Sequence, residues 1–331
     1  MLLKYVQIYN RFFVHSFCVA YLCRDSANET ALDAHSTTFS LKSVFVDFKA
    51  ITKAGLAISV LFSSIAGYLL GFSDTHPFSW GVLAMLMIGG YCMVGASNAF
   101  NQVIEKDLDA LMDRTKNRPV PSGRMSVGVA LTIAFTLTAI GLVLLYMINA
   151  KTAMFGAISI FLYTCVYTPL KPVTPLSVFV GAFPGAIPFM LGWVAATGEF
   201  GIEAGTLFLI QFFWQFPHFW SIGWFLFEDY EKGGFYMLPN GKRDQSTATQ
   251  TILYTIWLIV ASLLPALGYT GQFYITPVSA GIVLLLGLWM LFYAAKLYRL
   301  RTAKSAKALM LASVSYISLL QIVYIADKFL R

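Results

Sequence analysis

Apolar runs of about twenty residues alternate along this chain with short polar connections, and that rhythm predicts the architecture. Nine runs lie near 52–72, 79–100, 126–146, 151–170, 175–195, 204–227, 250–271, 274–294 and 305–326. A helix of about 20 apolar residues crosses the hydrocarbon core of a bilayer. The runs lack two-residue alternation, and a backbone in lipid has to satisfy its own hydrogen bonds, so each is read as a helix. The short connections favour one bundle over several domains. The predicted fold class is an all-α integral membrane protein with nine transmembrane helices in one bundle.

Composition agrees with this. The chain has 331 residues, of which 58% are hydrophobic and 12% charged, and its mean hydropathy is +0.69. A soluble domain carries about 25% charged residues. Lys and Arg then set the orientation. Lys49 and Lys53 precede the first run, and Lys106 through Arg124 fill the connection after the second. Lys171, then Lys232 to Arg243, then Lys296 to Lys307 follow the even-numbered runs, while Asp74, Glu199 and Glu203 mark the opposite side. The N-terminus is expected in the cytoplasm and the C-terminus outside. The net charge of +7 follows from this bias, so the expected partner is the lipid bilayer and no nucleic acid. Cys18, Cys23, Cys92 and Cys165 show neither pairing nor zinc spacing.

Residues 1–48 are apolar and aromatic up to Cys23, then polar. They are read as an N-terminal extension of unknown role, an interfacial helix at most, ahead of a transmembrane domain at 49–331. The extension lacks Arg- and Ser-rich transit character, which favours a bacterial cytoplasmic membrane over a mitochondrial inner membrane.

The chemistry concentrates in two cytoplasmic connections. Asn101, Glu105, Asp109 and Asp113 recur every four residues and so share one helical face. Carboxylates held so close repel one another unless a cation lies between them. Arg114, Lys116 and Arg118 follow at once and suit an anion. Acids for a hard cation beside bases for a polyanion suggest a magnesium–diphosphate clamp. The second long connection also runs from acids (Glu228, Asp229) to bases (Lys242, Arg243). Lys53 and Lys171 add positive charge, and Tyr167 shares a face with Lys171. The alternative for each charge is solvation of a helix end.

His218 is the one histidine within a predicted span, in the string Trp214-Gln215-Phe216-Pro217-His218-Phe219-Trp220. Ionisable groups at such depth are functional by default. It reads either as a satisfied packing residue or as a neighbour of a flat porphyrin or an axial iron ligand. The 28 Phe and 17 Tyr could face an allylic cation, although interfacial belts account for most of them. Gly181, Pro184, Gly185, Pro188 and Gly192 in the fifth run are read chiefly as packing residues.

The string Asn101-x-x-x-Glu105-x-x-x-Asp109, followed by Arg114-Thr115-Lys116-Asn117-Arg118-Pro119, resembles the first signature of the UbiA superfamily of intramembrane prenyltransferases. WQFPHFW at 214–220, with Asp229-Tyr230 and Met237-Leu238-Pro239, is similar to the branch of that family that modifies haem. The resemblance runs from about Lys53 to the last span. It implies a UbiA-type nine-helix bundle that transfers farnesyl from farnesyl diphosphate to a vinyl group of haem B, with hydration, giving haem O. It implies Mg2+ as cofactor, with haem B as a substrate, and haem A synthase or terminal oxidase assembly as downstream partners. The implied metal ligands are Asn101, Glu105, Asp109 and Asp229. The implied catalytic set is Asn101, Glu105, Asp109, Tyr167 and Lys171. Lys53, Arg114, Lys116, Arg118, Trp214, His218 and Asp229 are implied to bind substrate. The motif stops at Asp109, which leaves Asp113 a surface acid. The family's Thr-Lys-Pro reads Thr52-Lys53-Ala54 here, and its second acidic motif is thin. Two rivals stay open: a member of the family acting on an aromatic quinone precursor, and a haem carrier or transporter.

Overall fold

The computed structural model describes residues 41–331. Residues 45–331 form one compact unit, which carries the site described below. Of the N-terminal extension read over residues 1–48, residues 1–40 lie outside the described ones.

The described residues are helical throughout, without strands. A first helix, α1 (Leu41–Ile51), leads into α2 (Ala54–Gly71) and α3 (Trp80–Ile104). Then come α4 (Val127–Ile148), α5 (Ala150–Leu170), α6 (Leu176–Thr197) and α7 (Ile202–Phe225). The bundle closes with α8 (Gln245–Leu267), α9 (Pro277–Leu300) and α10 (Ala303–Leu330). From α2 to α10, eight of these helices are long and apolar enough to cross a membrane. The remaining one, α7, is as long as its neighbours but carries Glu203, Gln211, Gln215, Pro217 and His218. The described residues thus supply eight of the nine predicted spans by length and composition, and α7 is a ninth helix of similar length over the sixth predicted run.

Local chemistry marks where many of these helices begin. Ser79, Ser126, Asn149, Asp244, Thr276 and Thr302 each cap a helix by accepting a backbone N–H from the residue three positions on. Such caps satisfy amides that have no partner within the helix.

Helix α6 is the axis of the bundle, with 72% of its central stretch buried against 17% for the peripheral α4. Its closest neighbour is α2, and glycine permits the approach. A Cβ at Gly67 would stand 2.0 Å from the Phe189 carbonyl oxygen, and one at Gly192 would stand 2.0 Å from that of Ser64. Outward faces carry exposed side chains such as Phe135 and Val143 on α4 and Leu285 and Phe292 on α9. Side chains of that kind belong against lipid.

Candidate active site

The site forms where α3 ends. Glu105 leaves regular helical geometry (φ −94°, ψ 11°), yet its N–H still bonds to Asn101 O at 2.9 Å. The Asp109 N–H in turn bonds to Glu105 O at 2.7 Å. A short helix, Lys106–Asp109, therefore continues the stripe with its face intact. Asn101, Glu105 and Asp109 are all buried, whereas the fourth member, Asp113, is exposed.

Each buried member meets a partner from elsewhere in the chain. The Arg118 guanidinium donates to Asp109 Oδ2 at 2.6 Å, and the Thr115 hydroxyl donates to Asp109 O at 2.7 Å. Lys171 Nζ pairs with Glu105 Oε1 at 2.8 Å. Asn101 donates from Nδ2 to Thr168 Oγ1 at 3.3 Å and accepts at Oδ1 from Lys53 Nζ at 3.5 Å.

Two backbone irregularities bring these partners in. Pro169 lacks an N–H and would clash with the carbonyl four residues back. Helix α5 answers with a π-helical segment, Leu162–Tyr167, in which the Thr168 hydroxyl donates to Tyr163 O at 2.8 Å. Such segments recur at functional sites. This one places Tyr167, Thr168 and Lys171 at the mouth of the bundle. The Lys171 ammonium lies 4.7 Å from the centre of the Tyr167 ring, and Gly181 on α6 leaves that ring its room. The second irregularity is Lys53, which has left-handed backbone (φ 46°, ψ 57°) between α1 and α2. The carbonyls around this turn are captured from α3. Gln102 Nε2 donates to Ala50 O and Ile51 O at 3.2 Å, and Asn98 Nδ2 donates to Thr52 O at 3.3 Å.

The electrostatics are those of a cation-rich cleft with buried acids. Burial, with Arg118 and Lys171 nearby, pushes the Lys53 ammonium down to about 7. Burial also works against the Lys171 ammonium, but Glu105 outweighs it and holds the group above the usual lysine value.

The second connection lies over this cleft. After α7 it forms a short helix, Phe227–Lys232, and then turns back so that Tyr236 N–H donates to Lys171 O at 2.9 Å. The Phe235 ring faces the Lys171 ammonium at 5.6 Å. Asp113 N–H donates to Asp229 Oδ1 at 2.8 Å, and Lys232 pairs with the Asp113 carboxylate. Arg114 stacks on Tyr230, and Met112 packs beneath Gly233. Glu228 is turned outward into a bidentate pair with Arg243 at 2.5 and 2.6 Å.

The sequence-predicted residues thus separate into groups. Asn101, Glu105, Asp109, Arg118, Lys53, Tyr167 and Lys171 gather at one mouth. Asp229 and Arg114 join the first connection to the second. Lys116 turns away to pair with Asp113 at 2.7 Å. Trp214 and His218 form a separate cluster on α7, stacked with ring centres 4.5 Å apart. Thr168 and Phe235 were not anticipated. The Thr168-Pro169 step was the available signal for the first, and nothing local marks the second.

Two carboxylates carry the clearest mark of an absent partner. Asp109 Oδ1 and Asp229 Oδ2 are buried without a hydrogen bond, while the other oxygen of each is held. A buried oxygen left unpaired is costly, and a hard cation relieves it. Among the described residues no three His, Cys, Asp or Glu side chains converge as a ready-made metal cage. That suits magnesium, which is usually held by one or two carboxylates together with substrate phosphates.

Residues 60–320 match the model of the UbiA prenyltransferase family. The chain is 77% identical over 300 residues to the protoheme IX farnesyltransferase of Flavobacterium johnsoniae, covering 91% of this chain and 100% of that relative. Among solved structures it is similar to a digeranylgeranylglyceryl phosphate synthase, with a TM-score of 0.70 at 16% identity, covering 86% of this chain and 98% of the other. It is also similar to a UbiA homologue from Archaeoglobus fulgidus bound to DMAPP and Mg2+, with a TM-score of 0.65 at 14% identity and coverages of 86% and 98%.

Proposed function

Because the chain belongs to the UbiA prenyltransferase family, we propose that it transfers the farnesyl group of farnesyl diphosphate to a vinyl group of haem B. The observation that carries this reading is its 77% identity to a protoheme IX farnesyltransferase over that relative's full length. The chain is an enzyme, and its products are haem O and diphosphate.

The transfer begins with heterolysis of the bond between farnesyl C1 and the diphosphate oxygen. The pair of electrons leaves with the diphosphate, and an allylic cation remains. The vinyl π electrons then bond to C1, which moves the positive charge to the carbon next to the pyrrole. Water adds there and loses a proton, leaving the hydroxyl of haem O.

Residues at the mouth are suited to the first step. Arg118, Lys53 and Lys171 offer positive charge where the departing diphosphate gains negative charge, and buried charges act strongly there. Of the implied ligands Asn101, Glu105, Asp109 and Asp229, the last two would hold Mg2+ beside substrate phosphates, with Asp109 Oδ1 and Asp229 Oδ2 as free donors. When bound, magnesium neutralises diphosphate oxygens and makes the group a better leaving group. Lys171 exchanges its contact with Glu105 for a phosphate oxygen. Tyr167 and Phe235 turn aromatic faces toward the cationic region, suited to an allylic cation as well as an ammonium. Phe235, buried with its ring toward Lys171, keeps water from the cation until the vinyl group has reacted.

In this reading residues 49–331 form the catalytic domain, set in a bacterial cytoplasmic membrane with the N-terminus and the mouth on the cytoplasmic side. Product then passes to haem A synthase or a terminal oxidase. The test is extraction of haem from membranes with and without the protein. The expected result is haem B converted to a species heavier by one farnesyl group and one hydroxyl group. Unchanged haem beside prenylated quinone precursors would overturn the acceptor assignment.

A further inference from the structure

His218 is held from two sides. Trp214, four residues earlier on α7, stacks on its ring with an interplanar angle of 16°. Across the helix pair, His218 Nδ1 lies 2.8 Å from Ser313 Oγ on α10. Ser313 Oγ also stands 2.7 Å from Met310 O, and the Ser313 carbonyl accepts from Trp214 Nε1 at 2.7 Å. Two helices therefore fix one imidazole through a single serine.

These contacts favour one arrangement of the protons. A carbonyl oxygen carries none, so the 2.7 Å approach of Ser313 Oγ to Met310 O takes the serine's hydroxyl proton. Serine has no second proton, so the 2.8 Å contact with His218 is made by Nδ1–H. The ring's neighbours Trp214, Phe219 and Ser313 are uncharged, so no carboxylate is there to hold a second ring proton. The lone pair then sits on Nε2, to which no described residue hydrogen-bonds, and the side chain is only half-buried. A satisfied packing histidine would have used both nitrogens.

Resting on the haem-acceptor reading, we propose that Ser313 is a positioning residue that holds His218 as its Nδ1–H tautomer, so that Nε2 ligates the iron of the haem substrate. Imidazole nitrogen is a common iron ligand. A metal-bound histidine usually donates its other N–H to an acceptor that fixes the ring and raises its basicity. Here Ser313 Oγ is that acceptor and Trp214 sets the plane of the ring. Anchoring the iron fixes the porphyrin in one place, which limits where its vinyl groups can meet farnesyl C1.

The experiment titrates purified full-length protein in detergent with ferric haem B and follows the Soret band, alongside steady-state kinetics. The wild type should give a nitrogen-ligated spectrum. Ser313→Ala should weaken haem binding and raise the haem KM by about tenfold, leaving the KM for farnesyl diphosphate unchanged. Ser313→Thr, which keeps the hydroxyl, should restore both. His218→Ala should lose the nitrogen-ligated spectrum and regain it with added imidazole. That arm stands even if Ser313→Ala does not fold. A His218→Ala protein that retains the wild-type spectrum overturns the proposal, as does haem affinity in Ser313→Ala equal to that of the wild type. If the wild type still farnesylates haem in those cases, the functional reading survives. If the wild type never farnesylates haem, that reading falls, and this inference with it.

Discussion

The two long connections carry similar charges and use them in opposite ways. In the first, the side chains of Asp109 and Glu105 are 1% and 4% exposed, and each faces a cation from outside its own helix turn. In the second, Glu228 is 69% exposed and spends both oxygens on Arg243 fifteen residues away. Asp229 is the exception, with one buried oxygen left unpaired. Burial, and not the number of acids, separates chemistry from solvation. The first connection reads as the clamp, and the second as its cover, with one acid lent inward.

The comparison breaks most directly at its two extremes. Asp109→Ala should reduce haem O formation by about 10³-fold, the scale of losing a preorganised electrostatic contact. Glu228→Ala should change it by no more than about twofold, as expected of an exposed pair. Rates from product mass spectrometry in proteoliposomes check both, and equal losses would erase the distinction.

Next in size is the buried pair between Glu105 and Lys171. Lys171→Met leaves a buried carboxylate without its cation and should cost about 3–5 kcal/mol. Thermal unfolding in detergent would read this as a lowered Tm. The double variant with Glu105→Gln should recover much of the stability and none of the activity.

Asp229 tests whether the cover contributes to the clamp. Asp229→Asn should raise the magnesium concentration for half-maximal activity by about tenfold. No change in a magnesium titration would confine Asp229 to joining the two connections.

The smallest effect is a proton. Lys53 has its pKa lowered from 10.5 to about 7, so the free protein sheds that proton as pH rises through about 7. Bound diphosphate favours the ammonium, so binding at pH 8 should take up roughly one proton, and binding at pH 5.5 almost none. Calorimetry in buffers of different ionisation enthalpy measures the uptake, and Lys53→Met should abolish it.

What the sequence disclosed followed from distance along the chain. Asn101, Glu105 and Asp109 were legible because helical spacing is local, and Arg118 was legible because it lies nine residues beyond Asp109. The spans were legible because lipid demands long apolar helices, and α7 was found despite its polar residues. Contacts across the bundle were not legible. Nothing near Glu105 names Lys171, nothing near Asn101 names Thr168, and Ser313 is 95 residues from the histidine it touches. Charge patterning alone could not separate Glu228 from Asp229. Their roles depend on which one folds toward Arg243 and which toward Asp113.

The π-helical segment at Leu162–Tyr167 sets the register of the end of α5. A π turn holds one more residue than the α turn it replaces, so the facing of every side chain beyond it depends on that one extra residue. Deleting one residue there would give a tidier helix of nearly the same length. It would also rotate everything beyond it by about 100°, the angular step of one helical residue. Tyr167, Thr168 and Lys171 would swing away from Asn101 and Glu105 together. In this stretch the residue count of the helix, as much as the identity of its side chains, decides what reaches the site.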